Sequence, residues 1–105
     1  MSQIKNVDSQ TLNKWMKANK VLLIDVREPL EYKIERIKFS QNVPLAQINL
    51  KSLGLTTNKK IVIQCRSGIR SISACKKLLE DNPALELYNL DGGILDWKAK
   101  GYDVI

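Results

Sequence analysis

One stretch constrains the fold more than any other, because its apolar spacing changes from that of a strand to that of a helix within a few residues. Residues 61–64 are three apolar residues and a glutamine with a long apolar stem, and they lead into Cys65. A short loop with one glycine and two arginines follows. Apolar residues then recur at helical spacing, namely Ile72, Cys75, Leu78 and Leu79. The stretch predicts a strand, a tight loop and a helix over 71–81, which ends at Asn82-Pro83.

The thiol of Cys65 is expected to lie where this strand ends and the helix is about to begin. The amides of the loop and of the first helical turn have no partners within the helix. They can converge on one point together with the positive end of the helix dipole. Arg66 and Arg70 add positive charge, so we expect Cys65 to ionise below the ~8.5 of a free cysteine. The alternative is that Cys65 is only a small buried apolar residue, and the cationic loop disfavours it.

Three stretches of the chain resemble the motifs of the rhodanese family of sulfurtransferases, in the family's order and spacing. The first is Cys65-Arg66-Ser67-Gly68-Ile69-Arg70, which is similar to C-R-x-G-x-R and is called the thiol loop below. Residues 23–32 read L-I-D-V-R-E-P-L-E-Y, and residues 90–97 read L-D-G-G-I-L-D-W. These are similar to the family's L-I-D-V-R-E-P-x-E-Y and L-x-G-G-(I/V)-x-x-W. The resemblance covers the chain from about Ile4 to Val104.

The resemblance implies a rhodanese-like α/β fold and transfer of sulfane sulfur. A Cys65 thiolate would take sulfur from thiosulfate or a persulfide donor, and a thiol or cyanide would then accept it. The loop amides between Arg66 and Arg70 would stabilise the persulfide anion. The substrate-binding and loop residues implied are Arg66, Ser67, Gly68, Ile69 and Arg70, of which the two arginines are candidates for holding the anionic donor. The loop type disfavours a mercaptopyruvate donor.

Asp25 and Arg27 are predicted to support the site. Residues 21–26 form an apolar run with one late carboxylate, which is typical of a strand buried on both faces of a parallel sheet. Asp25 therefore falls near the carboxyl end of a strand, where α/β sheets place their ligand crevices. A buried carboxylate needs a partner, and the candidates are Arg27 and the amides of the thiol loop. We interpret both residues as scaffold for that loop, with a direct part in catalysis as the alternative.

Two other functions share these motifs. A cysteine phosphatase or arsenate reductase on the same scaffold carries C-x5-R, because a tetrahedral oxyanion must fit above the sulfur. Here only four residues separate Cys65 from Arg70, and Ser71 stands where that arginine would be. The short loop fits one extra sulfur atom better than a phosphate. A non-catalytic binding module is the other alternative, and such modules typically lack the cysteine that this chain retains.

The composition of the chain argues against several further classes of function. The 105 residues contain two cysteines and no histidine, so Cys–His catalysis within the chain is excluded and neither a metal nor a cofactor is expected. The net charge of +6 comes from lysines interleaved with acids, which favours a solvated surface over nucleic-acid binding. With no long apolar run and no apolar signal core, a cytoplasmic location without a membrane partner is expected. The expected partners are a small anionic sulfur donor, a thiol acceptor and a sulfur-relay protein, for a monomer or weak dimer.

The second cysteine, Cys75, is predicted to pack in the core, with a role as resolving thiol as the alternative. A disulfide with Cys65 is not expected, because the rise of a helix separates the two residues and a cytoplasm is reducing.

The rest of the chain alternates strands and helices, which predicts one α/β domain over residues 1–105 with a mainly parallel sheet of about five strands. The further predicted strands are 4–7, 21–26, 42–43 and 86–90. Four further helices are predicted. The first is capped by Asp8 or Ser9, with Leu12, Trp15 and Met16 facing inward, and the second is opened by Glu28-Pro29. The third is short, is marked by Leu45, Ile48 and Leu53 and has Gly54 as C-cap, and the last follows the turn at 91–93 and is anchored by Ile94, Trp97 and Tyr102.

One segment departs from the family. Many relatives carry G-H-I-x-G-A where this chain has Glu35-Arg36 in place of Gly-His and Phe39-Ser40 in place of Gly-Ala. We therefore expect the geometry of residues 35–40 to differ from that of the family.

Overall fold

The computed structural model describes residues 4–53 and 58–105 and contains one parallel five-stranded sheet. Its order is β1-β5-β4-β2-β3, and every neighbouring pair is parallel. The strands are β1 (Ile4–Val7), β2 (Val21–Asp25), β3 (Gln41–Asn42), β4 (Lys60–Gln64) and β5 (Leu87–Leu90). The predicted α/β fold with a parallel sheet is therefore confirmed.

Helices cover both faces of the sheet. They are α1 (Ser9–Lys17), α2 (Pro29–Ile34), α3 (Leu50–Leu53), α4 (Ile69–Asp81) and α5 (Gly93–Ala99), with a 3-10 turn at Leu45–Gln47. One apolar cluster joins α3 and α4 to one face, and a second cluster joins α1 and α5 to the other. Because β2 and β4 are covered on both faces, their sequences are nearly continuous apolar runs.

The predicted starts of the first two helices are confirmed by their caps. The Asp8 side chain accepts a hydrogen bond of 2.7 Å from the Thr11 amide, so Asp8 rather than Ser9 is the N-cap of α1. Pro29 is the first residue of α2, where its missing N–H costs nothing. The Glu31 carboxylate reaches back to accept from the Glu28 amide at 3.0 Å.

Several predicted boundaries were wrong by one or two residues. Helix α4 begins at Ile69 rather than at residue 71, because Gly68 in the left-handed region lets the chain turn directly into the helix. Its buried stripe is Ser71, Ala74, Cys75 and Leu78, and Ile72 is 36% exposed instead of packed. The predicted strands 21–26, 42–43 and 86–90 are Val21–Asp25, Gln41–Asn42 and Leu87–Leu90.

The short helix predicted around Leu45 and Leu53 is two pieces, the 3-10 turn and α3. The Asn49 carboxamide accepts from the Ser52 amide at 2.8 Å, and so marks the start of the second piece. The predicted C-cap, Gly54, lies outside the described residues.

The segment that departs from the family is anchored to the C-terminal end of the chain. Arg36 and Ile105 exchange two backbone hydrogen bonds of 2.8 Å each, and Ile37 is buried. Phe39 has φ +69° and is 81% exposed, so a bulky residue occupies the left-handed conformation that glycine adopts most easily. The Tyr32 hydroxyl donates to the Ser40 carbonyl. The unusual residues are thus accommodated by a strained turn rather than by a rearranged sheet.

Within residues 4–53 and 58–105, no helix has the length and apolar character that crossing a membrane requires.

Candidate active site

Cys65 follows the last residue of β4 and is 1% exposed. The Gly68 amide donates a hydrogen bond of 3.1 Å to its sulfur. This contact requires the chain to reverse within three residues, and Gly68 allows it with φ +104°. The strand, the glycine and the following helix therefore hold the thiol at the carboxyl edge of a central strand, as the sequence predicted.

The backbone that follows the Gly92-Gly93 turn is hydrogen-bonded to the start of the thiol loop. The Ile94 amide donates to the Cys65 carbonyl at 2.9 Å, and the Leu95 amide donates to the Arg66 carbonyl at 3.2 Å. A Cβ atom at Gly93 would lie 2.4 Å from the Arg66 carbonyl oxygen, and Gly93 has φ +60°. Only glycine fits this position without strain, and the third sequence motif thus positions the first.

A buried polar chain runs from the sulfur of Cys65 to the surface, and sequence reasoning missed it. The Ser71 hydroxyl oxygen lies 3.5 Å from the Cys65 sulfur, and the hydroxyl donates to Oδ1 of Asn89. Asn89 Nδ2 donates to Oδ1 of Asn6 at 3.2 Å. We call Ser71, Asn89 and Asn6 the polar chain. The available signal was a polar residue on the apolar face of a helix and another within an apolar strand.

The hydrogen bonds at the sulfur determine its acidity. Burial raises the pKa of Cys65, but hydrogen bonds from the Ser71 side chain and from the amides of Ser71, Gly68 and Ser67 outweigh it. The pKa of Cys65 is therefore held below its ordinary value. The thiol is consequently a stronger candidate nucleophile than an ordinary buried cysteine.

Cys75 is as buried as Cys65, but its sulfur has a different environment. It is 0% exposed in the core against β4, as predicted for a packing residue, and both cysteines are free thiols. Burial raises its pKa to about 12. A thiol so reluctant to ionise is a poor resolving nucleophile.

The two arginines of the thiol loop have different surroundings. Arg70 donates two hydrogen bonds to the Glu31 carboxylate, at 2.6 and 2.9 Å. Arg70 lowers the pKa of Glu31 to about 2, and Glu31 raises the pKa of Arg70. Arg66 is exposed and, within the described part of the chain, its side chain forms no hydrogen bond or ion pair. It lines a depression of about 220 Å³ between α2 and α5.

Asp25 and Arg27 form a buried ion pair, so the partner of Asp25 is Arg27 rather than the loop amides. The shortest contact joins Arg27 Nη2 to Asp25 Oδ2 at 2.7 Å. Arg27 also donates to the carbonyls of Glu31 and Glu35, at 3.4 and 2.7 Å. The pair thus holds α2 in place, and α2 carries the carboxylate that binds Arg70. Among the described residues, the side chains of the pair form no hydrogen bond to the thiol loop, so their link to it runs through this helix.

Large apolar side chains on α2, on the thiol loop and on α5 are exposed. They are Leu30 at 74%, Ile34 at 81%, Ile69 at 75% and Leu95 at 42%, and we call them the apolar rim. Ile34 and Leu95 line the same depression as Arg66. A separate groove of about 440 Å³, lined by Met16, Phe39 and Trp97 among others, contains neither cysteine.

The chain belongs to the rhodanese family, because residues 8–100 match the model of the "Rhodanese-like domain". It is 31% identical over 103 residues to a "Sulfurtransferase" of Allochromatium vinosum, covering 97% of this chain and 95% of that protein. It is also 37% identical over 81 residues to the "Uncharacterized protein YqhL" of Bacillus subtilis, covering 77% of this chain. The chain spans only 64% of the length of YqhL.

Solved structures share the fold. A rhodanese-related protein from Thermoplasma volcanium superposes with a TM-score of 0.82 at 29% identity, over 96% of this chain and 97% of that one. The family and fold predicted from the three motifs are therefore confirmed.

Proposed function

We propose that this protein is a sulfurtransferase that carries sulfane sulfur as a persulfide on Cys65. The observation that carries the proposal is the set of hydrogen-bond donors around the Cys65 sulfur, which holds its pKa below the ordinary value in spite of burial. Such an environment favours the Cys65 thiolate, which is the nucleophile of the first step.

In the first step the Cys65 thiolate attacks the outer sulfur of thiosulfate. A sulfur–sulfur bond forms at Cys65, and the sulfur–sulfur bond of the donor breaks, with its electron pair leaving on sulfite. The persulfide on Cys65 keeps one negative charge, so charge and electrons balance without an external oxidant. The amides of Gly68, Ser67 and Ser71 are close enough to the Cys65 sulfur to stabilise the thiolate that attacks in this step.

In the second step an acceptor thiolate or cyanide attacks the outer sulfur of the Cys65 persulfide. The bond between the two sulfurs breaks, the electron pair returns to Cys65, and a new persulfide or thiocyanate leaves. The apolar rim around the thiol loop supports an acceptor thiol carried on another protein, because exposed apolar patches commonly mark protein contacts. This is the sulfur-relay role that the sequence suggested.

Arg66 is the better candidate for binding the anionic donor. Arg70 is already neutralised by Glu31, whereas Arg66 has no anionic partner among the described residues and faces the depression beside the thiol loop. A free guanidinium can make paired hydrogen bonds to the oxygens of an oxyanion donor.

The test is the intact mass of the protein after treatment with thiosulfate, before and after addition of cyanide. We expect a gain of one sulfur atom that cyanide removes. The gain should be absent in Cys65→Ser and present in Cys75→Ser. If a folded protein with an alkylatable Cys65 gains no mass from thiosulfate or from glutathione persulfide, the proposal is wrong. Hydrolysis of a phosphate ester that requires Cys65 would instead favour the phosphatase alternative.

A further inference from the structure

The Ser71 hydroxyl has one proton and two neighbours that can accept it. One is the Cys65 sulfur at 3.5 Å, and the other is Asn89 Oδ1, to which the hydroxyl donates in this structure. While Cys65 is a protonated thiol, its own S–H can point at the hydroxyl oxygen, and both groups are satisfied. A thiolate has no proton to give, so it needs the hydroxyl proton for itself.

The orientation of the Asn89 carboxamide decides whether Asn89 competes for that proton. Asn89 is 2% exposed, and its Nδ2 donates to Asn6 Oδ1 at 3.2 Å. With Nδ2 held by Asn6, the carbonyl oxygen must face Ser71 as an acceptor. The register of β1 with β5 places Asn6 directly opposite Asn89, so the sheet itself fixes this arrangement.

We propose that Asn89, oriented by Asn6, competes with the Cys65 sulfur for the Ser71 hydroxyl proton, so that the two asparagines are positioning residues that set how readily the thiol ionises. Ionisation turns the hydroxyl from Asn89 to the sulfur and leaves Asn89 Oδ1 buried without its donor, which costs free energy. Ser71 therefore favours the anion and Asn89 opposes it. The proposal rests on the proposed function only in that Cys65 is the reactive thiol.

The other charges near Cys65 do not depend on the polar chain. Arg70 on α4 is paired with Glu31 on α2, and Asp25 after β2 is paired with Arg27. Arg66 adjoins Cys65 in the loop. None of them is hydrogen-bonded to Ser71, Asn89 or Asn6 within the described residues. Neutral substitutions in the polar chain consequently leave the charges around the sulfur unchanged.

The experiment is the pH dependence of Cys65 alkylation by iodoacetamide, in a Cys75→Ser background. Ser71→Ala should raise the midpoint of the profile by about one pH unit, a tenfold change that corresponds to one hydrogen bond to a charged group. Asn89→Leu should lower it. Asn6→Ala should also lower it, because the released Asn89 amide can turn its Nδ2 toward Ser71. The shift should be smaller than in Asn89→Leu, because Asn89 Oδ1 is still present as an acceptor. Asn6 is exposed, so this variant keeps the test available if Asn89→Leu does not fold.

Two further variants separate this role from a merely structural one. Asn6→Asp keeps an acceptor for Asn89 Nδ2 and should not lower the midpoint. In the double variant Ser71→Ala/Asn89→Leu, the downward shift caused by Asn89→Leu should disappear, because no hydroxyl proton remains to be released. Shifts of the same sign in Ser71→Ala and Asn6→Ala, or a downward shift from Asn89→Leu that persists without Ser71, would overturn the proposal. Alkylation needs no sulfur donor, so its outcome is independent of the sulfur-transfer test.

Discussion

Cys65 and Cys75 lie in the same hydrophobic cluster, are almost equally buried and belong to one strand–loop–helix unit. Their pKa values move in opposite directions, below the ordinary value for Cys65 and up to about 12 for Cys75. The difference is that the Cys65 sulfur receives hydrogen bonds from the loop and from Ser71, whereas burial is the only cause acting on Cys75. Because burial acts on both thiols, the hydrogen-bond donors around the Cys65 sulfur account for the difference between the two pKa values.

The most direct way to break this comparison is to alkylate the two thiols in the native protein. At about pH 8 a thiol with a pKa of about 12 is only on the order of 1 part in 10⁴ ionised, so Cys75 should be nearly inert. We expect Cys65→Ser to lose almost all alkylation at this pH, with a rate lower by at least ~100-fold. The measurement is the rate of iodoacetamide labelling followed by intact mass.

The matched variant, Cys75→Ser, should keep the wild-type labelling rate, and both cysteines should label equally fast in urea. Similar native rates for the two single variants would show that burial dominates, and the comparison would fail.

The comparison also depends on the geometry of the donors, which Gly93→Ala should disturb. Its Cβ would lie 2.4 Å from the Arg66 carbonyl oxygen, in the backbone that carries the loop amides. We expect a loss of roughly 2–4 kcal/mol of unfolding free energy and a rise in the alkylation midpoint of Cys65. Urea unfolding and the pH profile of labelling measure the two effects.

Gly101→Ala is the control for Gly93→Ala. Gly101 also has a positive φ, +87°, but an added Cβ would meet nothing within 4 Å. It should lose only ~1 kcal/mol from backbone strain and leave the labelling profile unchanged. If the two alanine variants lose equal stability and Cys65 labels normally in both, the close approach at Gly93 does not hold the loop.

The features that could be predicted from sequence are those encoded by neighbouring residues. The apolar run that ends at Cys65 and the glycine three residues later specify strand, turn and helix locally, so the position of the thiol was predicted correctly. Arg27, the partner of Asp25, is only two residues away, so the sequence alone makes it a candidate. Starts of helices at Asp8 and Pro29 have similarly local causes.

The polar chain could not be predicted in this way, because its members come from three elements that are distant in sequence. Asn6 meets Asn89 only because β1 pairs with β5 in one register, and Ser71 reaches Asn89 only because α4 packs on that pair. The Glu31–Arg70 ion pair likewise requires α2 and α4 to be neighbours. Whether Arg66 or Arg70 remains available for a ligand therefore depends on tertiary contacts.

Gln64 sharpens the comparison, because it is a buried polar side chain adjacent to Cys65 whose amide has no hydrogen-bond partner among the described residues. It is 0% exposed, and both Nε2 and Oε1 have no partner among the residues that the structure describes. An unsatisfied buried amide is unfavourable, so Gln64→Leu should increase the unfolding free energy by about 1–2 kcal/mol. Urea unfolding measures the change.

Because the Gln64 side chain points to the opposite face of β4 from Cys65, the labelling profile of the thiol should not change in Gln64→Leu. Gln64→Glu is the contrasting variant and should be strongly destabilised, since it buries a charge. A loss of stability in Gln64→Leu would mean that the amide has hydrogen-bond partners, such as a buried water. Gln64 would then be a satisfied buried group like the Cys65 sulfur, and not one without partners.

The smallest effect is expected at Glu31, which forms an ion pair with Arg70 of the thiol loop. Arg70 lowers the pKa of Glu31 from 4.5 to about 2, so the pair stabilises the fold fully above about pH 4.5, and this contribution is lost as the pH falls from there through 2. Glu31→Gln should therefore be less stable than the wild type by ~0.5–1 kcal/mol near neutral pH, as for a partly exposed pair, and the difference should disappear as the pH falls below about 2.

The same Glu31→Gln substitution leaves Arg70 without its anion, and the pKa of Arg70 responds to the charge on Cys65. The freed guanidinium should lower the alkylation midpoint of Cys65 by a few tenths of a pH unit and leave Cys75 unchanged. Glu35→Gln is the control, because it removes the Lys98–Glu35 pair of similar exposure and keeps Arg70 paired. An equal shift in both variants would point to a general change in surface charge. A shift confined to Glu31→Gln would add Arg70 to the groups that distinguish the two thiols.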